Sequence, residues 1–252
     1  MGGVLFEAQD GIAWIRLNRP ERLNAYGREM RGELRDVWER FRGDHDLRVA
    51  ILTGEGRAFC VGRDIKEQAQ YTGDFDAYTA SFLGANRTAV TVLTPCEKPV
   101  VSAVNGFALG LGFFLMCLGD IRVASETAEF GVPELPTGVL GPWYLTASEL
   151  LPRAVASELI LMGDRISAHR AFELGLINRV VPHTELMAAA LSYAQRLAAF
   201  PQEHLHATLR LMRRAHVQAS DELWLDADEE IRALYRRQDT ADAAAAFLNK
   251  QR

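Results

Sequence analysis

The first part of the chain has the hydrophobic pattern of a β-hairpin followed by a helix. Two apolar runs, at 4–8 and 12–17, flank Asp10-Gly11, a dipeptide typical of a tight turn between antiparallel strands. Between residues 30 and 41 the apolar side chains recur at helical spacing, with charged residues between them. That spacing predicts an amphipathic helix with one face against the core.

Apolar runs then alternate with a helical pattern, and this alternation predicts an α/β core. The runs at 49–52, 99–104 and 121–124 are typical of strands. The first of them is continuously apolar, as expected of a strand buried on both faces. A buried helix is predicted over 113–118. Strands separated by helices pair in parallel, because each connection has to return along the sheet.

Beyond about residue 143 the pattern becomes mainly helical. Short helices are predicted at 157–162 and 167–174, the second with Ser167 as its N-cap, and a short apolar run follows at 177–181. Longer amphipathic patterns cover the rest of the chain, at 185–199, 202–218, 223–238 and 240–250.

Composition and charge exclude several classes of function. The 252 residues are 48% apolar and 24% charged, which is the balance of a globular protein. A formal net charge of -5 gives no support for nucleic acid binding, and no apolar run is long enough to cross a bilayer. The three cysteines form no C-x-x-C pair, and the first residues lack a signal peptide pattern. We therefore expect a cytoplasmic protein with no nucleic acid or membrane partner and no structural metal.

Two glycine-rich segments follow predicted strands and are candidates for anion-binding turns. They are GEGRAFCVGRD at 54–64 and NGFALGLG at 105–112. Glycine lets the backbone bend tightly and expose its N–H groups, and a helix N-terminus adds free donors and a positive partial charge. Two such turns facing each other could hold an oxyanion between two peptide N–H groups. For either turn alone, an ordinary strand-to-helix connection is the simpler interpretation.

A lone carboxylate lies among apolar residues in the segment FGVPELPTG at 130–138. Glu134 has Val132, Pro133 and Leu135 as close neighbours. If it is buried there, desolvation would raise the pKa of its carboxyl, as a general acid/base requires. The alternative is an exposed loop glutamate beside prolines.

Together these segments resemble the enoyl-CoA hydratase/isomerase (crotonase) superfamily over essentially the whole chain. Six motifs occur in the family's order: NRPERLN at 18–24, FCVGRD at 59–64, GFALG at 106–110, FGVPE at 130–134, AFELGLINRVV at 171–181 and AFLNK at 246–250. The resemblance implies an α/β fold of repeated ββα units wound into a spiral, with C-terminal helices that mediate trimers. On that basis we expect a crotonase-like spiral core over 1–195 and a C-terminal helical trimerisation region over 196–252.

The resemblance also implies acyl-CoA thioester substrates, with coenzyme A entering as part of the substrate and no metal or redox cofactor. Carried over position by position, the backbone N–H groups of Val61 and Leu111 would bind the thioester oxygen and stabilise an enolate. Hydratases of the family use two glutamates. The later one falls on Glu134, whereas the earlier one falls on Phe114, which cannot move a proton.

This departure favours an isomerase over a hydratase. Adding water needs one group to activate it and another to deliver a proton, whereas moving a double bond needs a single carboxylate. We therefore predict enoyl-CoA double-bond isomerisation with Glu134 as the sole acid/base. Two alternatives remain open. One is a hydratase or another crotonase-family lyase with a replacement acid/base such as Tyr144, and the other is a non-catalytic subunit with this fold.

Further substrate contacts are implied by the same resemblance. Near the adenine and pantetheine it places Arg22, Leu23, Ala58, Cys60, Arg63, Asp64 and Ile65. Near the acyl group we expect Gly110, Phe114, Trp143 and Tyr144. Phe247 and Lys250 would reach the nucleotide from a neighbouring subunit of a homotrimer or a dimer of trimers. The alternatives are solvated loop charges for Arg22 and Arg63, and ordinary core aromatics for Trp143 and Tyr144.

Overall fold

The computed structural model describes residues 2–68, 96–138 and 144–217. The predicted helices at 223–238 and 240–250 lie outside these residues, as do Trp143, Phe247 and Lys250. The division of the chain at residue 195 therefore stays a prediction.

The described residues contain strands of three, five or six residues together with short and long helices. The strands are β1 (Val4–Gln9), β2 (Ile12–Leu17), β3 (Val49–Gly54), β4 (Ala58–Cys60), β5 (Val100–Val104), β6 (Phe107–Leu109), β7 (Ile121–Ser125), β8 (Glu129–Gly131), β9 (Arg165–Ser167) and β10 (Arg179–Val181). The α-helices are α1 (Arg28–Gly43), α2 (Ile65–Gln68), α3 (Leu111–Cys117), α4 (Tyr144–Leu150), α5 (Arg153–Ser157), α6 (Ala168–Glu173), α7 (Leu186–Ala198) and α8 (Gln202–Val217). A π-helix, Glu158–Met162, continues α5.

A six-stranded sheet forms the larger layer, in the order β1-β2-β3-β5-β7-β10. The hairpin of β1 and β2 is antiparallel and turns at Asp10-Gly11, as its sequence predicts. Every other pair in this sheet is parallel, which confirms the α/β prediction. None of the helices in the described ranges is both long and apolar enough to span a bilayer.

Strand β3 shows why its sequence is continuously apolar. Successive side chains of a strand point to opposite faces. Ala50 and Leu52 lie in the core cluster that contains the apolar face of α1, whereas Val49 and Ile51 lie in a second cluster with α7. Both faces of the sheet are therefore covered by helices, and no position on this strand faces water.

A second sheet of four three-residue strands has the order β4-β6-β8-β9. Strands β4, β6 and β8 pair in parallel, and β9 is antiparallel to β8. Along the chain β3 is followed by β4, β5 by β6 and β7 by β8, so that each pair places one strand in each sheet. Helices α2 and α3 follow the first two pairs, which confirms the repeated ββα units of a crotonase spiral.

Several predicted helices are confirmed with shifted ends, and one differs in type. The helix predicted over 113–118 begins two residues earlier, at Leu111, while α6 begins after Ser167, whose hydroxyl accepts a hydrogen bond from the Arg170 N–H at 3.3 Å. The helix predicted at 157–162 is mostly the π-helix Glu158–Met162. A sequence pattern with a period near 3.6 does not distinguish that wider helix from an α-helix.

Candidate active site

The carboxyl ends of β4, β6 and β8 meet at one edge of the small sheet. The pairs Cys60↔Ala108 and Leu109↔Gly131 bring these ends into register. Each strand is followed at once by one of the segments that the sequence singles out: the turn beginning at Val61, the turn at Gly110, and the stretch ending at Glu134. Parallel pairing therefore gathers residues more than 70 positions apart along the chain.

The two glycine turns are in direct contact. A Cβ atom built on Gly62 would lie 3.3 Å from the backbone nitrogen of Leu111, and one built on Gly112 would overlap the carbonyl of Cys60. Side chains at either glycine would force the turns apart. The expectation that the two turns face each other is therefore met by the geometry.

Leu111 opens α3, and Gly110 is its N-cap. The backbone of Gly110 has φ 55° and ψ -121°, a conformation that side chains disfavour strongly. The first N–H groups of a helix have no partner within the helix, so the Leu111 N–H is a donor at the edge of the site. The Val61 N–H donates to the Leu23 carbonyl at 3.2 Å. A thioester oxygen that binds between these donors must share the Val61 N–H with that carbonyl or displace it.

Glu134 is buried, with 7% of its surface exposed. A Cβ atom on Gly110 would overlap its carboxylate, so the absence of a side chain at that turn lets the acid approach the backbone. A hydrogen bond joins the Gly110 turn to the end of β8, since the Gly110 N–H donates to the Gly131 carbonyl at 2.9 Å. The carboxylate thus lies beside the turn that leads into the Leu111 N–H.

Val61, Gly110 and Glu134 line a cleft of about 820 Å³, whereas the predicted site residue Leu111 is buried and is not on its described walls. Of the predicted site residues, the structure places on its walls Arg22, Leu23, Val61, Arg63, Asp64, Ile65, Gly110 and Glu134. Three further cations on these walls lie outside the six motifs: Arg57, Lys66 and Arg165. Arg57 and Lys66 flank the FCVGRD motif and could have been found from that position. Arg165 comes from β9 and has no such signal.

The cleft carries an excess of positive charge. Arg22, Arg57, Arg63, Lys66 and Arg165 line it together with the carboxylates Glu21, Asp64 and Glu134. Asp64 is already paired, because it accepts a hydrogen bond from Arg19 at 3.1 Å and one from the Glu67 N–H at 3.2 Å. Guanidinium and ammonium groups on such a wall suit the phosphates of a nucleotide. No cluster of three or more metal-binding side chains occurs in the described part of the chain.

The side chains of Ala58, Cys60 and Phe114 are not on the described cleft walls, and their predicted substrate contacts stay predictions. All three are buried, with at most 3% exposed, and belong to the protein interior and not to the described cleft walls. Phe114 lies in the main hydrophobic cluster together with other residues of α3. Burial raises the pKa of the Cys60 thiol to about 12, so this thiol is protonated at neutral pH. Tyr144, the first residue of α4, is half-buried against the same cluster.

Comparison with known proteins identifies the family. Residues 7–252 match the model of the enoyl-CoA hydratase/isomerase family. The chain belongs to this family. It is similar to the (E)-benzylidenesuccinyl-CoA hydratase of Thauera aromatica, with 35% identity over 212 residues, 81% of this chain and 80% of the relative. It is also similar to the 1,2-epoxyphenylacetyl-CoA isomerase of Escherichia coli, with 33% identity over 98% of this chain and 96% of the relative.

A solved structure shows the same fold. The carnitinyl-CoA hydratase of Mycobacterium avium aligns with a TM-score of 0.88 and 30% identity, covering 99% of this chain and 97% of that protein. The protein is therefore a crotonase-fold enzyme of the enoyl-CoA hydratase/isomerase family. Its relatives bear the names of both hydratases and isomerases, so family membership alone does not choose between the two reactions.

Proposed function

We propose that this enzyme moves the double bond of an enoyl-CoA thioester, with Glu134 as its acid/base. The observation that carries the proposal is the position of Glu134 among the carboxylates on the described cleft walls. Glu21 is exposed, and Asp64 is paired with Arg19 and caps α2. Glu134 alone of the three is both buried and packed against the Gly110 turn.

The chemistry is a consequence of this arrangement. The Val61 and Leu111 N–H groups hold the thioester oxygen, and the developing negative charge on that oxygen makes the proton at C2 of the substrate acidic. Glu134 removes this proton, so that the electron pair is delocalised over the dienolate. The carboxylic acid then returns the proton at C4, and the double bond shifts from C3–C4 to C2–C3. No atom is gained or lost, and one carboxylate is enough.

The remaining predictions about the substrate and the assembly rest on the resemblance. The cations of the cleft, Arg22, Arg57, Arg63 and Lys66, would bind the phosphates of coenzyme A. Phe247 and Lys250 would approach the nucleotide of a neighbouring subunit, in a homotrimer or a dimer of trimers. Light scattering at micromolar concentration measures this directly, and a monomer would contradict it. Coenzyme A is expected as part of the substrate, with no separate cofactor.

Hydration is the second candidate, because several relatives are named hydratases. It requires a second acid/base opposite Glu134. The position at which the family's hydratases carry that glutamate holds Phe114, buried in the core. Tyr144 would be the replacement, and in the structure its ring packs against the core cluster from the start of α4.

Incubation with matched 3-enoyl-CoA and 2-enoyl-CoA thioesters separates the two reactions. Isomerisation leaves the product mass unchanged and moves the olefinic proton signals in the NMR spectrum, whereas hydration adds the mass of water. We expect the first result with 3-enoyl-CoA and scarcely any hydration of 2-enoyl-CoA. Rapid hydration would overturn the isomerase proposal. Binding of coenzyme A without turnover of any thioester would support the non-catalytic alternative.

A further inference from the structure

We propose that Gly163 is a positioning residue for Glu134, because it allows the π-helix to close onto the segment that carries the carboxylate. This inference rests on the proposed role of Glu134 as the acid/base. It concerns a residue 29 positions away in sequence, outside the cleft walls that the structure describes.

Gly163 ends the π-helix Glu158–Met162 in a left-handed conformation, with φ 70° and ψ 17°. A Cβ atom at this position would lie 2.5 Å from Cγ and 2.9 Å from Cδ of Pro136, and 3.5 Å from Cα of Pro133. Contacts shorter than 3.0 Å are essentially never seen for real Cβ atoms. The backbone of Gly163 therefore packs directly against the prolines on either side of Glu134.

The opposite side of this segment is held by the Gly110 turn. The Gly110 N–H donates to the Gly131 carbonyl, and Gly110 also abuts the carboxylate itself. Strand β9 follows Gly163 almost at once and pairs with β8 through Gly131↔Arg165. The Glu134 segment thus has two close backbone contacts that only glycine permits, one with Gly110 on the cleft wall and one with Gly163, which is not on the described walls.

A second glycine provides an internal control. Gly175 follows α6 and has nearly the same conformation, with φ 77°, but a Cβ atom there would meet no atom within 4 Å. Alanine at either position carries the strain of a left-handed backbone. Only alanine at Gly163 adds a collision with the Glu134 segment, which would move Pro136 by roughly 1 Å.

The experiment compares Gly163→Ala with Gly175→Ala, and measures kcat, the Kd of coenzyme A and the pH dependence of kcat. We expect Gly163→Ala to lower kcat by roughly tenfold to a hundredfold, since a displacement of about 1 Å at a reacting group can have that effect. Its Kd for coenzyme A should change by less than about twofold, and the pH profile of kcat should shift because the environment of Glu134 changes. Gly175→Ala should keep the kcat and the pH profile of the wild type.

Pro136→Ala tests the same contact from the other side. Pro136 is exposed, so the protein should still fold with alanine at this position. Alanine lacks the Cγ and Cδ atoms with which a side chain at Gly163 would collide. The double variant Gly163→Ala/Pro136→Ala should recover most of the lost kcat, a coupling that independent sites do not show. Should Gly163→Ala fail to fold, Pro136→Ala decides alone. A few-fold loss of kcat at constant Kd supports the inference, and an unchanged kcat overturns it.

Glu134→Gln, measured in parallel, separates the two proposals. If that variant retains turnover, the proposed function fails. If it loses turnover while Gly163→Ala behaves like Gly175→Ala, the role of Glu134 stands and only the positioning role of Gly163 is refuted.

Discussion

The two sheets of this enzyme differ in the length of their strands and in the kind of segment into which each strand leads. In the six-stranded sheet, β3 and β5 have six and five residues, all buried. In the four-stranded sheet, β4, β6 and β8 have three residues each, and every one of them leads directly into a segment of the site. The long strands β3 and β5 bury apolar side chains. The short strands β4, β6 and β8 pair in register, and this pairing brings the Val61 turn, the Gly110 turn and the Glu134 segment to one edge.

Because of this difference, we expect substitutions in the two sheets to have different effects. Loss of a side chain inside the large sheet should cost stability and leave the chemistry of the folded fraction intact. Loss of a group at the edge of the small sheet should cost turnover and leave stability nearly unchanged. Four substitutions test that contrast.

Glu134→Gln should have the largest effect on activity. The amide keeps the shape of the side chain but cannot accept the proton, so that turnover should fall by roughly 10²–10⁴-fold. The Kd of coenzyme A and the melting temperature should remain close to those of the wild type. Glu129→Gln is the matched control, because Glu129 begins β8, the strand that leads into the Glu134 segment, but pairs with Arg165 at the surface. Equal turnover in the two variants would remove Glu134 from the mechanism.

Ile51→Ala should have the largest effect on stability. Ile51 is a residue of β3 whose side chain is fully buried against the apolar face of α7, and removal of this side chain leaves a cavity. The free energy of unfolding should fall by about 2–5 kcal/mol, and by only about 0.5–1.5 kcal/mol in Ile51→Val. Denaturant titration measures the loss, and kcat per folded molecule should not change. A specific loss of kcat would show that the large sheet also shapes the site.

Cys60→Ala probes a side chain that is buried behind the site. The thiol has a pKa of about 12 in the folded protein against 9.0 in the unfolded chain. The folded state therefore holds the proton that the unfolded state releases above pH 9, and stability falls with rising pH between these values. Between pH 8 and pH 10 the wild type should lose roughly 1 kcal/mol more stability than Cys60→Ala does. Identical pH dependence in both proteins would contradict the burial of this thiol.

Ser167→Ala should have the smallest effect. The Ser167 hydroxyl caps α6 at the end of β9, the one strand of the small sheet that runs antiparallel to its neighbour. Its loss should lower the free energy of unfolding by about 1 kcal/mol, while Ser167→Asp retains the cap. Turnover should be unaffected, because this strand ends away from the edge that carries Glu134. A drop in kcat would mean that β9 contributes to the site through more than Arg165, its residue on the cleft wall.

The long elements could be predicted because their side chains repeat over enough positions. The hairpin turn at Asp10-Gly11, the buried face of α1 and the continuous run of β3 are all confirmed. The hydrophobic pattern did not predict the strands of the small sheet, since a three-residue strand is too short for a two-residue period to appear. The π-helix was missed because its pattern resembles that of an α-helix.

The chemical types at the site could be predicted from the chain alone: a carboxylate set among prolines and two glycine turns beside predicted strands. The family resemblance added that Phe114 stands where hydratases carry a second acid. These properties belong to single residues and their neighbours in the chain. The folded chain was needed to establish that Val61, Leu111 and Glu134 share one edge, that Asp64 is ion-paired with Arg19, and that Phe114 is buried in the core. Strand pairing and packing depend on residues far apart along the chain, and no local pattern records them.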